Sequence, residues 1–578
     1  SKGLGTPEHM DLLQELAEVV RDTTMCGLGQ TAANPVLSTL RYYRHEYERH
    51  ILDKRCDAFV CSELAGAACQ TACPLGTEVW RYVALIEKGR YEEAYRVIRE
   101  PNPFPSVCAR VCGHKCESRC RLGATGGDPI AIRALKRFVT DQIDPSTFKP
   151  TRVHKKNPAA VAVIGAGPAG LTAAHELSLM GYKVTIFEAG EEPGGMLMSC
   201  IPSYRLPRDI VQKEIAALMD ENITLKCKTA LGRDVTLDNL FTHGFKAVFI
   251  AIGADKSWEL GVEGEDRQGV YSSMDFLKAF NLRGEELATG HVGVIGGGNS
   301  AVDAARIAIR QKGVKSVTLY YRRTDQEMPA YIDEVDAAKE EGIVLKTLVS
   351  PIRIRHIDQA RKEGVKVEDS VSPVKIYSEK GRLTGIELVK NQLSGVDSSG
   401  RRKPVPIPGS EYHVPLDTLI AAIGERPDSD CLAAMGLEVR KNGCLRVDQE
   451  TLATNWPGVF AGGDLVSGPS MVVDAVAHGQ KAAAMIDRYL RGAEMKDEPH
   501  IVRPDVYLEP CAAEKEEYEE PRRVAIPVLP AESRKKSFAE VETGLTAELA
   551  ACEARRCLRC DLRFTEQAHR AEAKETPA

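Results

Sequence analysis

Residues 161–190 read VAVIGAGPAGLTAAHELSLMGYKVTIFEAG. The opening VAVI is the texture of a strand buried on both faces, and it runs straight into Gly165. Gly165, Gly167 and Gly170 are spaced so that their missing side chains permit, in turn, a tight strand-to-helix turn, close approach of a pyrophosphate to the helix N-terminus, and close packing of helix on strand. Pro168 and Ala169 sit inside that turn. The second strand, YKVTIF, ends at Glu188, 23 residues after Gly165, where a carboxylate can accept hydrogen bonds from ribose hydroxyls. Strand, turn, helix, strand and acid in this order predict a dinucleotide-binding βαβ unit.

About 130 residues further on, HVGVIGGGNSAVDAARIAI (291–309) repeats the pattern. Gly296 and Gly298 occupy the strand-to-helix turn, Asn299 and Ser300 follow, and Ala301 stands at the third small position. One nucleotide cannot bridge both turns, so two such domains are expected. The partner strand continues into YYRRTDQEMPA, which puts Arg322 and Arg323 where Glu188 stood in the first unit. Guanidinium groups there favour a 2′-phosphate, hence NADP(H) over NAD(H). A third element, NWPGVFAGGDLVSGPSMVVDAVAHGQKAAAMI (455–486), ends a strand at Gly462 and Gly463. Asp464 follows, placed for a ribityl chain or pyrophosphate. A helix opening at Met471 and Val472 would aim its positive dipole end at an anionic flavin edge.

At 578 residues the chain is too long for one hydrophobic core. The net charge of −6 gives no basic excess for a phosphate backbone, so nucleic acid is not an expected partner. No apolar run is long enough to span a bilayer, and the N-terminus lacks an export pattern, which reads as a cytoplasmic protein. Eight of the seventeen cysteines fall between Cys56 and Cys120, and in such a chain that reads as metal ligation rather than disulfides.

Those eight form two runs, Cys56, Cys61, Cys69 and Cys73, then Cys108, Cys112, Cys116 and Cys120. Thiolates presented in fours suit cubane iron-sulfur clusters, and Cys73-Pro74 closes the first run as in ferredoxins, where that cysteine serves the other cluster. On this logic Cys56, Cys61, Cys69 and Cys120 hold one [4Fe–4S] cluster. Cys73, Cys112 and Cys116 hold a second, with Cys108 as candidate fourth ligand. The tail AACEARRCLRCDLRF (550–564) adds Cys552 and a CxxC of Cys557 and Cys560, which reads either as a portion of a further metal site, completed by Cys511 or a partner chain, or as an inert pair.

With GAGPAGL, PGGMLMSCIPSYRLP, AIGA, GGGNSAVD, YRRTDQEMPA, AAIGERP and AGGD in one order, residues from about 55 to 490 resemble the glutamate synthase small subunit and the large subunit of NADH-dependent ferredoxin:NADP oxidoreductase. The flavoprotein portion is also similar to the N-terminal half of dihydropyrimidine dehydrogenase. The resemblance implies FAD in the first domain and NADP(H) in a domain inserted into it. It also implies Gly194, Gly195, Met196 and Arg205 as FAD neighbours, and cofactor positions at Gly253 of AIGA and Gly424 of AAIGERP. The family has Glu or Gln as fourth ligand of the second cluster, where this chain has Lys136, and an ammonium cannot ligate iron. Cys200, alone in its segment, reads as a small buried residue.

Residues 25–61, MCGLGQTAANPVLSTLRYYRHEYERHILDKRCDAFVC, resemble the C-terminal end of the NADH-binding flavoprotein subunit of complex I and of bifurcating hydrogenases. The resemblance makes Cys26 the last ligand of a cluster whose other cysteines lie upstream in a longer polypeptide or on a partner. His50, Cys56 and Cys61 are ligand types suited to zinc, which competes with cluster ligation for that pair.

The expected architecture is α/β, with two Rossmann-like dinucleotide-binding domains, the NADP domain inserted in the FAD domain, preceded by a helical iron-sulfur domain. The expected boundaries are a complex-I-like end (1–50), the iron-sulfur domain (51–150), a first FAD-domain segment (151–285), the NADP(H) domain (286–410), a second FAD-domain segment (411–495) and a C-terminal extension (496–578). The expected activity is hydride exchange between NADP(H) and FAD, with single electrons leaving through one or two [4Fe–4S] clusters to partner subunits or ferredoxin. A hetero-oligomer containing complex-I-like flavoprotein subunits, of the electron-bifurcating transhydrogenase type, fits the two resemblances together. The alternatives are the small subunit of an NADPH-dependent glutamate synthase, and a non-catalytic cluster-bearing adaptor.

Overall fold

The computed structural model describes residues 5–52, 56, 61, 67–151, 157–358, 378–397, 400–496, 504–510, 522–562 and 565–566. Cys511 lies outside them. The chain forms two compact units, one of residues 1–150, 496–526 and 544–578, the other of residues 151–495 and 527–543. The C-terminal extension therefore divides, and the segment bearing the CxxC belongs to the cysteine-rich unit.

The larger unit is built on two parallel sheets. The first has the order Val459–Ala461, Phe245–Ile250, Ala160–Ile164, Lys183–Phe187, Ile223–Lys226, and the second Val270–Ser272, Thr418–Ala421, Gly290–Ile295, Val314–Tyr320, Val344–Lys346. Each Gly-rich turn leaves the central strand of its sheet. In chain order the whole second sheet falls between Phe245–Ile250 and Val459–Ala461 of the first, as expected of an inserted domain. An antiparallel sheet of Val349–Asp358, Ser378–Val396, Arg402–Pro406 and Tyr412–Pro415 is added before the chain returns through Thr418–Ala421.

Val161, Val163, Val292 and Val294 are buried, as strands covered on both faces require. The helices Pro168–Leu179 and Val472–Arg491 pack so closely that a side chain on Gly479 would come within 2.5 Å of the Ala169 carbonyl oxygen.

The smaller unit is helical. Val79–Glu87, Tyr91–Arg99 and Ile132–Gln142 bury Tyr82, Val83, Ile98, Leu135 and Phe138, and Ala550 and Ala554 of the tail helix Ala547–Arg555 join the same core. Among the described residues no helix is long and apolar enough to cross a membrane.

Candidate functional site

The two Gly turns separate glycines the chain needs from glycines it does not. Gly165 has φ +102° and any side chain there would collide with the Ala251 carbonyl; one on Gly170 would collide with the carbonyl of Gly165. Gly296 is held the same way by the Ala422 carbonyl. The middle glycines differ. Gly167 and Gly298 have φ of −79° and −88°, which any residue adopts, and an added Cβ would meet no atom within 4 Å. Nothing in the fold demands glycine there, and the open cradle at each helix N-terminus has the chemistry and room that would suit a pyrophosphate.

Gly194, Gly195 and Glu188 lie beside the first cradle. A Cβ on Gly195 (φ +54°) would lie 3.1 Å from the Cα of Gly167, and the Gly194 N–H donates to the Ala166 carbonyl at 2.7 Å. Met196 opens the short helix Met196–Ser199. Glu188 accepts hydrogen bonds from the Ala166 N–H and the Gly190 N–H, both at 2.7 Å, which sets its carboxylate beside the turn. Gly253 has φ +75° with open space around it, and Gly424 has φ +119°.

Gly463 stands where a Cβ would touch Ala169 at 3.1 Å, and its N–H donates to His478 Nδ1 at 3.0 Å. The neighbouring Asp464 carboxyl is pushed up to about 7, first by burial and then by the Glu425 and Asp474 charges, against a stabilising Ser470 backbone N–H. Met471 caps the helix that begins at Val472.

Arg205 is otherwise engaged. The resemblance implies an FAD neighbour, and its guanidinium is paired with Asp303 at 2.7 Å and Glu334 at 3.1 Å. Cys200 is buried as expected, and burial pushes its thiol up to about 11.

The two arginines at the end of Val314–Tyr320 take different environments. Arg323 is buried, ion-paired with Asp397 and donating to the Arg402 carbonyl at 2.7 Å. Arg322 is exposed. Desolvation, then the like charges of Arg323 and Arg401, hold its pKa below the usual guanidinium value.

In the helical unit the cysteines sort differently from the sequence reading. Cys69, Cys120, Cys557 and Cys560 line one pocket, with Trp80, Val83 and Ile130 in its walls. Burial drives the Cys557 thiol up to about 12 and raises that of Cys69, which Cys557, Cys116, Cys560 and Cys120 raise further. Cys73, Cys108, Cys112 and Cys116 act on the half-buried Lys136, and Cys116 also acts on Cys69. Burial lowers the Lys136 pKa, but Cys73, Cys108, Cys112 and Cys116 outweigh it and the ammonium stays charged. Cys108 is buried with its Sγ 3.8 Å from Asn102 Oδ1. Cys56 and Cys61 are in neither set. They converge with His50, all three ligand atoms within 4.8 Å of one another, with His50 Nε2 3.3 Å from Cys61 Sγ.

Cys26 is exposed and caps the short helix Gly27–Ala32, its Sγ accepting from the Gly29 N–H at 3.4 Å. Cys552 is exposed. Sequence reasoning missed Asp397, which claims Arg323, and Glu425, a carboxylate with a buried Oε1 lacking a hydrogen-bond partner. Asp397 lies in no recognisable motif, whereas Glu425 directly follows Gly424 in AAIGERP.

Residues 159–479 match the family model of the pyridine nucleotide-disulphide oxidoreductases. Residues 42–147 match that of dihydropyrimidine dehydrogenase domain II, 4Fe-4S cluster, and residues 1–50 that of the NADH-ubiquinone oxidoreductase-F iron-sulfur binding region. The NADP(+)-dependent formate dehydrogenase subunit beta of Moorella thermoacetica is 38% identical over 630 residues, covering 96% of this chain and 85% of that protein. The NADPH-Fe(3+) oxidoreductase subunit beta of Geobacter sulfurreducens is 33% identical, covering 97% and 85%. The glutamate synthase [NADPH] small chain of Escherichia coli is 33% identical, covering 74% and 90%.

Proposed function

The chain belongs to the pyridine nucleotide-disulphide oxidoreductase family, and on that premise we propose that it exchanges hydride between NADP(H) and FAD and passes single electrons through the clusters of its helical unit to a partner subunit or a ferredoxin-type carrier. It is an FAD-dependent NAD(P)H oxidoreductase subunit whose cofactors are FAD, NADP(H) and [4Fe–4S] clusters. Flavin, when bound, supplies the conversion between hydride and single electrons.

The chain supplies position and charge. Gly167 and Gly298 leave room for the two pyrophosphates, and Glu188 stands at the end of its strand for a ribose. The first turn of the Val472–Arg491 helix lies, through Ala475, beside Gly463, which itself packs on Ala169 of the first Gly turn. Arg322, repelled by its cationic neighbours, receives the 2′-phosphate. The observation that carries the reading is the open cradle at Gly167 and Gly298, repeated once in each sheet. Anaerobic NADPH should bleach the flavin spectrum and then reduce the clusters; a chain that only braced an assembly would show no bleaching.

The match of residues 1–50 to a complex-I-type region supports a hetero-oligomer with complex-I-like flavoprotein subunits, of the electron-bifurcating transhydrogenase type, over a glutamate synthase small subunit. Cys26 would then ligate a cluster completed elsewhere. The thiol-rich composition suits a reducing compartment, the cytoplasm. His50, Cys56 and Cys61 suit a single zinc ion with one further ligand. A His50→Ala variant should lose zinc and keep its iron.

A further inference from the structure

The C-terminal CxxC does not form a site of its own. Cys557 and Cys560 face Cys69 and Cys120, which lie hundreds of residues earlier in the chain, across a pocket walled by apolar side chains.

This placement is over-determined. Glu553 is fully buried and accepts from the Ala131 N–H at 2.7 Å, the Val524 N–H at 2.9 Å and Arg556 Nη1 at 2.7 Å. Arg556 Nη2 donates to the Asp128 carbonyl at 2.7 Å, and Arg559 Nη2 to the Leu508 carbonyl at 2.8 Å. Between the two cysteines Arg559 takes φ +45°, a conformation unfavourable for a side-chain-bearing residue. That turn, held by the Arg559–Asp561 pair, brings both thiols to one side.

The other assignments are taken. Cys56 and Cys61 are drawn to His50, and Cys73, Cys108, Cys112 and Cys116 form no part of the pocket's lining. Spacing separates the metal types. Around one tetrahedral zinc, thiolates at about 2.3 Å stand roughly 3.8 Å apart. Among the described residues only His50, Cys56 and Cys61 bring three such ligand atoms within 4.8 Å of one another, so the four thiols are more widely set, as a polynuclear cluster needs.

We propose that Cys69, Cys120, Cys557 and Cys560 together ligate one [4Fe–4S] cluster, the tail supplying half of its thiolates in place of Cys56 and Cys61. The proposal rests on reading the helical unit as an iron-sulfur domain. Its consequence is that this cluster staples the end of the chain to the domain, so the cluster cannot be completed without the tail.

The test compares Cys557→Ala/Cys560→Ala with Cys56→Ala/Cys61→Ala in the purified full-length assembly, measuring iron, acid-labile sulfide, bound FAD and the EPR signal after dithionite reduction. The tail variant should lose about four iron and four sulfide per chain and one EPR signal while keeping FAD. Cys69→Ala should give the same loss, and Cys56→Ala/Cys61→Ala and the exposed Cys552→Ala should keep all the iron. Retained FAD shows that the larger unit is folded. Full iron in the tail variant, or loss of four iron in the Cys56/Cys61 variant alone, overturns the ligand assignment. Parent protein that holds FAD but no iron or sulfide overturns the iron-sulfur reading itself.

Discussion

Arg205 and Asp303 form a buried pair between the segment that follows the first Gly turn and the helix of the second. Arg205 Nη1 donates to both Asp303 carboxylate oxygens, at 2.9 and 2.7 Å. The adjoining Tyr204 ring is covered by Arg306 and Arg310, 4.6 and 4.5 Å from its centre, which are themselves paired to Glu341. The two nucleotide-binding halves are thus joined by a buried network of charges that also holds Glu334, where removing one member is costly.

Arg205→Met should therefore destabilise the flavoprotein by about 3–5 kcal/mol, because Asp303 is left buried without its cation. Adding Asp303→Leu should recover some of that loss, since the uncompensated charge is gone. Urea denaturation of the single and double variants checks the coupling. Strictly additive losses would show that the pair contributes nothing beyond its two members.

The two arginines of YYRR should separate on mutation. Arg322→Ala should weaken NADPH by about 1.5–3 kcal/mol, the value of a charged hydrogen bond, and leave NADH nearly unchanged. Arg323→Ala should lower the melting temperature instead, because Asp397 loses the buried Arg323 guanidinium. Coenzyme titrations beside thermal melts decide it, and equal effects of Arg322→Ala on both coenzymes would reject the 2′-phosphate assignment.

The Gly turn offers a sharper contrast. Gly167→Val should give folded protein poor in FAD, since the added side chain enters only the space kept for the pyrophosphate. Gly170→Val should fail to fold or melt early, because its side chain collides with the Gly165 carbonyl. Flavin content and circular dichroism separate the outcomes; normal FAD in Gly167→Val would refute the placement.

Asp464 predicts a pH dependence. Its folded pKa is raised to about 7 from an ordinary 3.8, first by burial. The folded state therefore holds the proton more tightly than the unfolded one. The contribution is fully present below about 4 and is lost as pH rises through 7, at up to about 1.4 kcal/mol per pH unit. FAD-free protein should melt progressively lower from pH 5 to pH 8, and Asp464→Asn should flatten that slope. An unchanged slope in the variant would assign it to other groups.

The insertion of one domain into the other was implied by the family resemblance, whereas the two parallel-sheet domains and the three jobs of the first Gly turn were legible in the order of amino acids alone. Those features are local: hydrophobic runs of fixed period and glycines at fixed offsets act within some thirty residues, and steric collision with the next strand enforces them. The ligand sets were not legible in that way. Spacing along the chain joined Cys56 and Cys61 to Cys69, whereas packing of the Ala547–Arg555 helix onto the helical core brought Cys557 and Cys560 there instead. Likewise the adjacent Arg322 and Arg323 look equivalent in sequence, and only the fold, by setting Asp397 beside Arg323 and leaving Arg322 exposed, gives them different environments. Charge partners and metal ligands meet through space, and their sequence separation carries no trace of the meeting.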